Sequence, residues 1–197
     1  MSLPPAERLR ADEQANPAHV AAVVAIASRA QPARGTTVVV AIDGRSGSGK
    51  TLLGTAVADR LDCPVLHLDE LYPGWDGLAA GVALATSEVL EPLARGERAA
   101  YRRWDWMRSR PGRTVPVGST AMLVLEGCGA LVPPADAFAA VRVWVEASTA
   151  VRRARALSRD GETYAPHWER WAAQEDAVYS TARPRARADL VLRTDAP

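Results

Sequence analysis

Apolar residues along this chain fall into short, dense runs separated by longer stretches with helical spacing. The run Thr36-Thr37-Val38-Val39-Val40-Ala41-Ile42 is β-branched and apolar almost throughout, the pattern of a strand covered on both faces. Similar runs at 64–68, 121–125, 141–145 and 188–192 predict four more strands. Between them, apolar residues recur at three- and four-residue spacing over 51–61, which predicts an amphipathic helix. Further helices are predicted over 86–95, ended by Gly96, and over 149–159 and 167–181. Asn16 followed by Pro17 reads as an N-cap and first-turn proline, opening a helix to about Ala30. Residues 1–16 form a polar lead, and glycines and a proline make 72–77 a loop. The stretch 101–113 is dense in rings and cations without a clean period. Strands alternating with helices predict an α/β, three-layer sandwich: a mostly parallel five-stranded sheet with helices on both faces.

Bulk composition narrows the classes. At 197 residues and 48% hydrophobic content the chain can bury a core as one domain. A net charge of +1 gives no reason to expect nucleic acid or an anionic membrane as partner. No apolar run reaches membrane-spanning length. Glu7, Asp12 and Glu13 precede the first apolar stretch, unlike a secretory signal. Cys63 and Cys128 are isolated, which reads as reduced core thiols in a cytoplasmic protein. His19, His67 and His167 are scattered and suggest no metal site.

Of the 24 basic side chains one alone is a lysine, Lys50. It sits in Gly44-Arg45-Ser46-Gly47-Ser48-Gly49-Lys50-Thr51, which fits G-x-x-x-x-G-K-[ST] at each fixed position. The strand before it and the helix after it supply the context of a phosphate-binding loop. Its glycines let main-chain N–H groups turn inward, and the helix N-terminus adds partial positive charge. A compact ammonium on a flexible stem follows phosphate oxygens better than a planar guanidinium. The expected nucleotide-binding set is residues 44–51 with Leu52; Lys50 neutralises phosphate charge and the Thr51 hydroxyl holds Mg²⁺.

Other candidates lie at strand ends, where open α/β sheets bind ligands. Asp69 follows the second strand and can accept an acceptor hydroxyl's proton or help place magnesium. Glu126 ends the third and can hold Mg²⁺ through water. Arg152, Arg155 and Arg159 share one helical face, suited to triphosphate charge; Arg155 and Arg159 complete the catalytic set with Lys50 and Asp69. On the acceptor side, Trp104 or Trp106 can stack on a flat ring, Asp105 can accept from a hydroxyl, and Arg108 or Arg110 can meet an anion.

These pieces resemble the uridine kinase-like branch of P-loop small-molecule kinases. The resemblance rests on the loop 43–51, on Leu68-Asp69-Glu70-Leu71-Tyr72, on Trp104-Asp105, on Leu125-Glu126-Gly127, on Arg159-Asp160 and on Arg187-Ala188-Asp189, in family order. It implies ATP and Mg²⁺ as cofactors and Asp69 as catalytic base. It also implies Tyr72, Trp104, Asp105 and a nearby arginine at the acceptor, and the arginine-rich helix, about 149–165, as a lid. Leu71 and Trp104 depart from the family's usual aromatic and tyrosine, and the arginine after Asp105 is offset. The corresponding division is a lead and helix over 1–35 and a kinase domain over 36–197, with 72–118 inserted on the acceptor side. The expected activity moves the ATP γ-phosphoryl to a hydroxyl of a small metabolite, nucleoside-like by resemblance, in a cytoplasmic protein compatible with a homodimer. The rival is a regulatory ATP-binding module. A GTPase is excluded, because N-K-x-D needs a second lysine.

Overall fold

The computed structural model describes residues 14–195. Five strands form the expected sheet: β1 (Val38–Asp43), β2 (Val65–His67), β5 (Met122–Glu126), β6 (Ala139–Glu146) and β7 (Leu190–Arg193), in spatial order β2-β5-β1-β6-β7, all parallel. Strand β1 is central and wholly buried, and its alternate residues serve opposite faces. Val40 and Ile42 join a core with Val20, Val23, Leu53 and Val57, from the helices α1 (Pro17–Ala27) and α2 (Lys50–Leu61). Val39 and Ala41 join the larger core on the other side, with Leu66, Leu78, Leu90 and Trp171. Two filled faces explain why the strands read as continuous apolar runs rather than alternating ones.

Helix α1 starts as its cap predicts: the Asn16 side chain accepts from the Ala18 N–H at 2.9 Å, with Pro17 in the first turn. It ends at Ala27, three residues before the expected end. The arginine-rich helix α5 (Thr149–Asp160) and helix α6 (Trp168–Ala182) fall within a residue of expectation. The lead over 1–13 lies outside the described residues.

Two elements differ from the sequence reading. Helix α3 (Leu78–Ala85) begins eight residues before the expected helix and runs through a π turn (Thr86–Leu90) into α4 (Glu91–Ala94). The aperiodic stretch is an antiparallel hairpin, β3 (Ala99–Asp105) with β4 (Arg110–Gly118), forming a separate two-stranded sheet. Asp105 Oδ1 accepts from the Met107 and Arg108 N–H groups at the hairpin's tip, an Asx-type turn. Among the described residues, no helix is long and apolar enough to cross a membrane.

Candidate functional site

The carboxyl ends of β1, β2 and β5 open onto one cleft of about 210 Å³. Ser46, Gly47, Lys50 and Thr51 border it from the glycine-rich loop, Asp69 from the turn after β2, and Glu126 from the end of β5. Arg159 closes one side from α5. Five candidates from four separate stretches of the sequence thus meet at one place: Lys50, Thr51, Asp69, Glu126 and Arg159.

The loop's shape follows from its glycines. Gly47 has φ +80°, and a Cβ there would lie 2.2 Å from the Arg152 carbonyl oxygen, so α5 can approach only because position 47 lacks a side chain. Lys50 is buried at the start of α2, its ammonium 3.4 Å from the Arg45 carbonyl. Burial opposes its charge, but the surrounding acidic groups outweigh that and keep it protonated. Arg45 itself turns from the cleft to Asp176 on α6, and Leu52 lies in the first turn of α2; neither lines the cleft.

Asp69 Oδ1 is shut off from water with no hydrogen-bond partner among the described residues. Burial, then the charge of Glu126, holds its carboxyl above the ordinary carboxylate range, while His67 and Arg159 pull it back. A carboxylate that lines a cleft with one oxygen left without a donor suits an incoming hydroxyl. Glu126 is 2% exposed. Its Oε1 lies 2.6 Å from His67 Nδ1, and its Oε2 accepts from the Thr51 hydroxyl at 3.3 Å. Burial alone would depress His67, but the hydrogen bond and charge of Glu126 raise it to about 9, so the imidazole holds its extra proton at neutral pH. His67 carried no signal as a lone histidine; the β2–β5 register places it opposite Glu126.

The oxygens of Thr51, Glu126 and Asp69 suit a hard cation such as Mg²⁺, which keeps several waters and needs one or two carboxylates. Among the described residues no group of three or more His, Cys, Asp or Glu could hold a metal ion.

Three of the four arginines of α5 divide their work. Arg159 faces the cleft. Arg155 donates to the hydroxyl and carbonyl of Thr194, outside the cleft. Arg152 is buried and donates to the Ser46 carbonyl at 3.1 Å and the Ala147 carbonyl at 3.2 Å. The expected common face does not act as one anion-binding row.

One wall of the cleft is aromatic: Tyr72, Trp75, Trp106, Tyr164 and Trp171 line it. Trp75 stacks with Tyr164 at 5.3 Å and with His167 at 4.4 Å between ring centres, and it meets Trp106 at 4.8 Å. The Trp106 indole N–H donates to the Asp69 carbonyl at 2.9 Å, tying the hairpin to the carboxylate's turn. Of the expected acceptor residues, Trp106 and Tyr72 reach the cleft, the Tyr72 hydroxyl donating to the Cys128 carbonyl at 2.7 Å. Trp104, Asp105, Arg108 and Arg110 do not line it. Asp105 caps its own turn and pairs with Arg108, because a short carboxylate at a hairpin tip satisfies nearby amides first. Sequence reasoning missed Trp75, Tyr164 and Trp171, which come from separate elements with no shared spacing.

No family model matches the chain, and no curated protein does either. Solved structures do match. A possible uridine kinase from Bacillus stearothermophilus is 19% identical, with 89% of this chain and 97% of that one covered at a TM-score of 0.64. A candidate fructose transport system kinase from Silicibacter sp. TM1040 is 20% identical, covering 88% and 98% at 0.51. The chain therefore has the α/β fold of P-loop small-molecule kinases.

Proposed function

We propose that the protein transfers the γ-phosphoryl group of ATP to a hydroxyl of a small acceptor carrying an uncharged ring, of the nucleoside kind. The observation that carries this reading is Asp69: a carboxylate with one buried, unpartnered oxygen, in a residue that lines the same cleft as Lys50, Thr51 and Arg159. As the acceptor oxygen bonds to the γ-phosphorus and the bond to ADP breaks, Asp69 takes the hydroxyl proton. Lys50 and Arg159 balance the phosphoryl charge, and Thr51 with Glu126 would hold Mg²⁺, which supplies further neutralisation. The wall of rings favours a flat acceptor, and the placement of Arg108 and Arg110 outside the cleft disfavours a phosphorylated one. The similarity to a possible uridine kinase points the same way.

The test is ATP-dependent phosphorylation across nucleosides, vitamin precursors, sugars and sugar acids. A nucleoside or similar ring-bearing alcohol is expected to be the substrate. Labelling of sugar phosphates alone, or ATP hydrolysis that no metabolite stimulates, would overturn the proposal. Asp69→Asn is expected to lower turnover by about 10²–10⁴-fold while ATP affinity changes by less than about threefold. Lys50→Ala is expected to weaken ATP binding and abolish turnover.

A further inference from the structure

We infer that Glu175 is a positioning residue of the phosphate-binding loop, setting the Ser46 backbone in place before nucleotide arrives; this rests on the reading of that loop as the ATP site. Glu175 lies on α6, 1% exposed, and does not line the cleft. Its Oε1 accepts from the Ser46 N–H at 2.7 Å and from the Cys128 thiol at 3.2 Å, and the Arg45 guanidinium lies 3.5 Å from its Oε2. The Ser46 carbonyl is taken from another side by buried Arg152. Both main-chain polar groups of Ser46 are thus held by side chains from two different helices. A third clamp follows two residues later, where the Thr194 hydroxyl donates to the Ser48 carbonyl at 2.8 Å.

Nothing in ordinary core packing calls for a buried carboxylate at this point, since an ion taken out of water costs several kcal/mol unless fully partnered. Here each partner belongs to the loop or borders it. A glycine-rich loop has unusual backbone freedom, and ordering it during binding subtracts from affinity. Glu175 removes that freedom in advance, from a position that does not line the cleft.

Three readouts test this: exchange of the Ser46 amide in nucleotide-free protein, ATP binding by calorimetry with magnesium, and the KM for acceptor. Glu175→Gln keeps an acceptor oxygen for Ser46; Glu175→Ala keeps none. The Ser46 amide is expected to exchange slowly in wild type, faster in Glu175→Gln and fastest in Glu175→Ala. ATP affinity should weaken about tenfold or more in the alanine variant, with partial recovery in glutamine, as loss of one charged hydrogen bond dictates. The acceptor KM should hold steady. Wild-type Ser46 exchanging as fast as a solvent-exposed amide overturns the inference, and that measurement stands even if Glu175→Ala fails to fold. Unchanged ATP affinity in a folded Glu175→Ala also overturns it, and tighter binding would make Glu175 a competitor of phosphate instead. Failure of wild type to bind ATP would sink the functional reading, while the exchange data still judge the brace.

Discussion

Asp43, the last residue of β1, shows how one side chain sets the loop's starting point. Its Oδ1 accepts from the Gly44 N–H, the Gly129 N–H and the Tyr179 hydroxyl, and its Oδ2 from the Leu131 N–H. Burial raises its carboxyl from 3.8 to about 6 even though all four donors pull it down. The folded state therefore binds this proton more tightly than the unfolded chain. That contribution favours folding below about pH 4 and is lost as pH rises through 6, a change on the order of 3 kcal/mol. Asp43→Asn cannot titrate and turns an amide toward groups that donate, so it should destabilise at every pH. Urea denaturation at pH 4 and 7.5 is expected to show the gap from wild type narrowing at the higher pH. A gap constant in pH would assign the titration elsewhere.

At the scale of elements, the contact between α3 and the loop after β2 is tight enough to test. A Cβ on Gly81 would lie 2.4 Å from Tyr72 Cδ1 and 3.1 Å from Tyr72 Cα. Helix propensity alone makes Gly81→Ala stabilising by about 1 kcal/mol, whereas overpacking costs about 1–3 kcal/mol. The contact should win, lowering the melting temperature and displacing Tyr72 at the cleft. The same helix explains part of what the sequence concealed. Leu78-Ala-Ala-Gly-Val-Ala-Leu-Ala85 is apolar on every side and follows Gly74 and Gly77, so it presents no stripe and reads as an extension of the loop. The β3–β4 hairpin hid for a different reason. All of β4 is at least partly exposed, so apolar and polar positions do not alternate, and pairing across a turn leaves little local trace. The sheet strands were legible because burial on both faces writes itself into consecutive residues. Asp69 and Glu126 were legible because they end such runs. Glu175 and the ring wall were not, since their roles exist only once α6 lies across the loop.

Across the whole molecule, α6 is the connector. Tyr179, Asp176 and Glu175 reach Asp43 and the glycine-rich loop. Gln174 bonds the Trp75 carbonyl and the Leu78 N–H, Arg170 pairs with Asp76, and Trp171 lines the cleft. Three of the six tryptophans, Trp75, Trp106 and Trp171, border the cleft, whereas Trp144 packs with Val132 and Tyr179 in a separate cluster. Binding of an acceptor is therefore expected to change tryptophan emission. Trp75→Phe should remove much of that signal and Trp144→Phe little; equal losses would place the acceptor elsewhere. The hairpin adds a consequence of its own. It meets the turn that carries Asp69 through the Trp106 indole on the Asp69 carbonyl and through Glu70, which accepts from the Tyr101 hydroxyl and pairs with Arg103. Its two strands belong to no other sheet. A ribbon with different rings in its place would reshape one wall of the cleft while the glycine-rich loop and the five-stranded sheet stay untouched.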